Sequence, residues 1–142
     1  MKINSHNEWD KLREVILGSA DKQSAVLTWD RKDAIPLKNL EKAQSLSKDA
    51  YPQWLLDEVN EDLEDVRKIF VKFGVKVYRP KVYDINKMYV SPYGWSSTGN
   101  NIYNIRDLHL IIGNNVIESS SPIKNRYFEA TALYNVWYKY FK

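Results

Sequence analysis

Arg106 and Asp107 stand side by side just before the apolar run Leu108 to Ile112 of this 142-residue chain. A carboxylate at the mouth of a strand can hold a planar cation through paired, charge-assisted hydrogen bonds; the alternative is an acid that simply faces solvent. Other chemistries find little to work with. The chain has no cysteine, so no thiolate is available as nucleophile or metal ligand. Its two histidines, His6 and His109, are far apart and form no HExxH pattern, so no metal site is expected. His6 is expected to be exposed near the terminus and His109 to play a structural part within a strand. Ser96-Ser97 and Ser119 to Ser121 lack the turn context of a nucleophile elbow, and no Walker or GxGxxG loop is present. No catalytic residue, metal or cofactor is therefore assigned.

The elements that must position Arg106 and Asp107 follow from periodicity. Glu14 to Ala20 (EVILGSA) is an apolar run closed by Gly18 and reads as a buried strand. Asp21 to Tyr51 is polar and is expected to be a long excursion. Pro52 suits the first turn of a helix and Gly74 a left-handed cap at its end. Between them Leu56, Val59, Leu63, Val66, Phe70 and Phe73 recur at three- and four-residue intervals, with acids in the early turns and bases in the late ones. An amphipathic helix lying on a sheet is the result.

Val75, Val77 and Tyr78 then form a short strand that Pro80 stops. Lys81 to Asn104 reads as a long connection without regular structure, of the kind that lines a site. Leu108 to Ile112 and Val116 to Glu118 flank Gly113-Asn114-Asn115 and predict a tight hairpin. Asn125 to Phe141 reads as a terminal helix with two apolar stripes: Ala130, Leu133, Trp137 and Tyr140 on one, Tyr127, Tyr134, Tyr138 and Phe141 on the other. A terminal helix on a small sheet buries one face, so either the second stripe's tyrosine hydroxyls face water or a further subunit or segment covers it. The fold class is α/β, a mixed sheet with two main helices, in a single domain spanning 1–142.

Composition narrows the partners. The formal charge of +3 arises from 21 basic and 18 acidic residues spread along the chain, with no block that would mark nucleic-acid binding or a membrane anchor. Five Trp, ten Tyr and four Phe are read as core material rather than as base-stacking platforms. No run approaches the ~20 apolar residues that span a bilayer, and a cytoplasmic location is expected.

Three collinear stretches carry a resemblance. They are Asn7 to Ala20 (NEWDKLREVILGSA), Gly74 to Pro80 (GVKVYRP), and the series Ser97-Thr98-Gly99, Arg106-Asp107, Gly113-Asn114 and Val116-Ile117-Glu118. Together they resemble the glycine amidinotransferase family, which includes the inosamine-phosphate amidinotransferases. The resemblance implies a partial pentein fold, about one β/α module plus the start of a second, with the active site in a central channel. It also implies that Asp107 is the carboxylate that holds a substrate guanidinium, such as that of arginine, with Arg106 in a supporting ion pair. Ser97, Thr98 and Gly99 would shape the channel wall or a plain turn, and Trp9 and Asp10 would anchor the approach to the first strand. Lys11 and Ile105 stand where relatives often have proline, so the loop geometry there is open.

In that family the amidino group passes through a covalent amidino-cysteine, with a histidine as acid and base, and both residues lie in later modules. Neither His6 nor His109 matches that histidine. The chain alone is thus expected to lack transferase activity, as the N-terminal portion of a truncated or split enzyme with a complementary C-terminal chain. The alternative is a non-catalytic assembly module that forms a homo-oligomer.

Overall fold

The computed structural model describes residues 2–21, 51–81, 84, 87–100, 102–119, 121 and 123–141. The polar excursion expected after Asp21 lies almost entirely outside the described residues. The first unit pairs β1 (Glu14–Ile16) in parallel with β2 (Lys76–Tyr78), in the register Glu14 with Lys76, Val15 with Val77 and Ile16 with Tyr78. Parallel neighbours need a crossover, and α1 (Gln53–Lys72) lies within it.

The ends of α1 are set by the residues that the sequence marks. The Pro52 carbonyl receives the first amides, those of Leu55 and Leu56. At the other end Gly74 adopts φ +75°, Gly74 N–H donates to the Val71 carbonyl, and Val75 N–H reaches back to Phe70. This Schellman arrangement satisfies carbonyls the helix would otherwise leave open and turns the chain directly into β2. Of the expected apolar face, Leu56 and Leu63 are buried and Val59 and Phe70 half-buried, whereas Val66 and Phe73 are exposed. The stripe is real but only its first half is fully covered.

Beyond β1 the chain threads between two neighbours. Ser19 N–H donates to the Ile102 carbonyl at 3.2 Å, and Ala20 N–H donates to Asn60 Oδ1 on α1 at 3.0 Å. Gly18 is required by this approach, since a Cβ there would lie 2.0 Å from the Tyr103 carbonyl oxygen. Ile102, Leu108, Leu133 and Val136 are almost wholly buried and form the centre of the core.

The connection after β2 departs from expectation. It contains an antiparallel pair, β3 (Tyr89–Val90) and β4 (Ser96–Ser97), closed by a turn in which Gly94 has φ +81°. Two-residue strands are too short to show alternation, so the pattern of the residues gave no sign of them. β5 (His109–Ile112) and β6 (Asn115–Glu118) form the expected hairpin with Gly113 at φ +60°, and a bridge between Gly113 and Ser5 adds the N-terminal segment to its tip. The mixed α/β class holds, but among the described residues the strands form three separate two-stranded ladders rather than one mixed sheet.

The terminal helix is also different. Lys124–Arg126 and Glu129–Leu133 are 3-10 segments, and only α2 (Tyr134–Trp137) is α-helical. Amides here bond three residues back, as Thr131 does to Phe128, and the Thr131 hydroxyl donates to the same Phe128 carbonyl at 2.6 Å. Such side-chain bonding to the backbone competes with the α ladder and favours the tighter turn. The two stripes nevertheless differ: Ala130 and Leu133 are buried and Trp137 and Tyr140 half-buried, while Tyr134, Tyr138 and Phe141 are exposed and Tyr127, also of the second stripe, is half-buried against Trp95. The Tyr140 hydroxyl donates to the Glu14 carboxylate and so ties the terminal segment to β1.

Candidate guanidinium site

Asp107 closes a 3-10 turn, Ile105–Asp107, instead of opening a strand. Its amide donates to the Asn104 carbonyl at 3.2 Å, and the buried Leu108 side chain that follows anchors the turn in the core. The alternation that would separate Arg106 from Asp107 in a strand does not apply to this turn. Arg106 is exposed, and no ion pair joins it to another described residue.

Asp107 already holds a guanidinium, that of Arg126. Arg126 Nη1 donates to Asp107 Oδ2 at 3.0 Å, and Arg126 Nε donates to Glu129 Oε2 at 3.0 Å. The three side chains form a gradient from surface to core: Asp107 is 54% exposed, Arg126 13% and Glu129 1%. Burial acts against the charge of Arg126, but the Glu129 and Asp107 carboxylates outweigh it and raise its pKa above the ordinary arginine value. Asp107 Oδ1 has no partner among the described residues, whereas Arg126 Nη2 is buried and also lacks one. Arg126 therefore bonds two carboxylates.

The surrounding elements fix this arrangement. β4, with Ser97 buried, packs against the 3-10 turn Lys124–Arg126, and Gly99 and Asn100 beyond it are buried as well. Trp95 meets Tyr127 edge-on at 5.1 Å and Phe128 at 5.7 Å, which pins the β3–β4 hairpin to the segment bearing Arg126 and Glu129.

The remaining candidates lie apart. His6 is exposed and bonds Asn4 Oδ1 through Nε2 at 2.8 Å. The His109 side chain is only 4% exposed and packs on Trp137 with ring centroids 5.1 Å apart. Neither of its ring nitrogens has a hydrogen-bond partner among the described residues, and Glu118 Oε2 lies 3.9 Å from Nε2. Burial lowers its pKa and Glu118 partly opposes that shift. Trp9 does not anchor the approach to β1, since it is 84% exposed. Asn7 does so instead, accepting the Trp9 and Asp10 amides and donating to the Asp10 carboxylate. Among the described residues no cluster of His, Asp and Glu could hold a metal ion. No described helix is long and apolar enough to cross a membrane.

The chain is similar over nearly its whole length to known proteins. No family model matches the chain. The inosamine-phosphate amidinotransferase 1 of Streptomyces griseus is 33% identical over 141 residues, covering 98% of this chain and 40% of its own length. The L-arginine:L-lysine amidinotransferase of Pseudomonas savastanoi pv. phaseolicola is 31% identical, covering 98% of this chain and 38% of that protein. Among solved structures, an amidinotransferase from Microseira wollei in the saxitoxin biosynthetic pathway superimposes with a TM-score of 0.84 at 35% identity, over 98% of this chain and 40% of that one. The chain is homologous to the amidinotransferases.

This amidinotransferase-related chain spans 38–40% of the length of these relatives, and the match is to that portion of their fold. It carries no cysteine, so a catalytic thiol is absent from it. What it brings together is a carboxylate of suitable exposure and a buried pair behind it. The family resemblance singled out Asp107, and the sequence reading passed over Arg126 and Glu129. Their three-residue spacing was the available signal, and it was masked by the aromatic residues around it.

Proposed function

We propose that this chain is the guanidinium-binding portion of an amidinotransferase-like protein. It corresponds to about one module and the start of a second in a pentein, with Asp107 receiving the guanidinium of arginine or a related compound. The observation that carries this reading is the Asp107 carboxylate itself: one oxygen engages a guanidinium in the ion pair with Arg126, and the other is open on an exposed side chain. A guanidinium is planar and permanently charged, so a carboxylate with free lone pairs is its natural receptor. Amidino transfer needs a thiolate at the amidine carbon and an acid–base group beside it. On this reading both come from a complementary polypeptide segment, and the 142-residue chain alone turns nothing over.

The test is to incubate the purified chain with arginine and glycine and to measure ornithine and guanidinoacetate. No product is expected, and sustained turnover would overturn the claim that catalysis lies elsewhere.

A second reading, a self-associating assembly module, has its own observation. Leu110 and Ile117 pair across the hairpin and, with Ile112, share a face on which all three are roughly half exposed. An antiparallel ladder normally buries one face, and His109 and Trp137 account for the other. Light scattering separates the readings: a homo-oligomer that dissociates on Leu110→Lys favours assembly, and a monomer counts against it.

A further inference from the structure

We infer that Arg126, seated on Glu129, is a positioning residue that orients Asp107 for an external guanidinium. This rests on the role proposed for Asp107. An exposed aspartate turns freely about its terminal torsion, which has no sharp staggered preference. Here the carboxylate is held at one oxygen by Arg126 Nη1, and the guanidinium that holds it is fixed in turn at Nε by a carboxylate with almost no solvent exposure. A guanidinium is a rigid planar fork, so two anchored nitrogens fix its plane and with it the direction of Oδ2. Oδ1 is left without a partner among the described residues, on a side chain that is 54% exposed. Ordering is done before a ligand arrives, and ordering done in advance strengthens binding.

The charges point the same way. If Arg126 served only to neutralise a buried acid, Glu129 would suffice as its partner. Instead Arg126 also engages Asp107, and Asp107, the exposed carboxylate, keeps an oxygen without a partner among the described residues. An arriving cation can bond Asp107 without displacing Arg126, because each carboxylate oxygen has two acceptor positions.

The experiment is calorimetric titration of the full chain with arginine, for the wild type, Asp107→Asn, Arg126→Lys and the double variant Arg126→Gln/Glu129→Gln, with thermal unfolding of each. The double variant removes both buried charges, so a merely structural ion pair would leave binding intact once the protein is folded. Positioning predicts that the folded double variant loses about tenfold in affinity, which is about 1.4 kcal/mol. Arg126→Lys keeps the charge but not the fork, and a loss of about threefold or more is expected. Affinities within about twofold of wild type in the folded variants would overturn the inference while leaving Asp107 in place. Should the double variant fail to fold, Arg126→Lys decides by the same criterion. If the wild type binds no arginine, or Asp107→Asn binds it equally well, the reading of Asp107 fails and the positioning role falls with it.

Discussion

Among the described residues, two Arg–Glu pairs share the same three-residue spacing, Glu64 with Arg67 on α1 and Arg126 with Glu129 behind Asp107. The surface pair has the closer geometry: Arg67 Nη2 lies 2.6 Å from Glu64 Oε1, and Arg67 Nε donates to both carboxylate oxygens at 2.8 Å. Arg126 reaches Glu129 at 3.0 Å. Yet the first pair is open to water at both side chains, while Glu129 is 1% exposed. Solvent supplies an alternative partner to Glu64 and none to Glu129. Equal spacing and better distances thus do not make equal interactions, because the dielectric surroundings decide what is lost when one partner goes.

The largest effect should come from breaking the buried pair. Arg126→Gln leaves the Glu129 charge without its guanidinium in the core, and a loss of about 3–5 kcal/mol is expected in denaturant unfolding. Arg126→Gln/Glu129→Gln should recover a substantial part of that loss, since no buried charge remains. A single variant as stable as wild type would break the comparison.

A packing control comes next. Gly18→Ala would drive a methyl group into the Tyr103 carbonyl and should cost about 1–3 kcal/mol, without any electrostatic contribution. The control sharpens the comparison because its effect should be independent of salt.

A smaller, pH-dependent effect is expected at His109, a buried ionisable group with no close hydrogen bond. Burial depresses its folded pKa, so the unfolded chain takes up a proton first, near the ordinary value of about 6.5. Its neutral form is fully tolerated above that pH, and stability should fall as pH drops from there through the lowered folded value. Comparing the wild type with His109→Phe across pH 5 to 8 isolates this contribution: the difference should be flat at high pH and grow in the acid direction. A pH-independent difference would mean that the ring is not held neutral by burial. The smallest effect is at the surface, where Arg67→Gln should leave the midpoint of thermal unfolding unchanged within error.

How much of this was legible beforehand follows the same division. α1 and its Gly74 cap, β2 and the β5–β6 hairpin were visible because each carries a local signal: a stripe, a stop residue, a turn that needs positive φ. The β3–β4 hairpin was not, since its strands have two residues each and are held by Trp95 packing on Tyr127 and Phe128, which are distant in sequence. The terminal segment was misread as one helix because its periodicity fits a 3.6-residue repeat, whereas the Thr131 hydroxyl donates to the Phe128 carbonyl and goes with a tighter turn. For the site, Asp107 could be picked out through the family resemblance, since its residue type and place alone fit an acid that faces solvent equally well. Its neighbour Arg126 could not, because only folding brings the two together across the β5–β6 hairpin.

The most direct measurement is calorimetric titration of arginine into the wild-type chain and into Asp107→Asn. Binding to the wild type, weakened about tenfold or more by an amide of the same shape, is the expected result, since a charge-assisted contact is replaced by a neutral one. Equal heats and equal affinity for the two proteins would contradict the assignment of this carboxylate as the receptor.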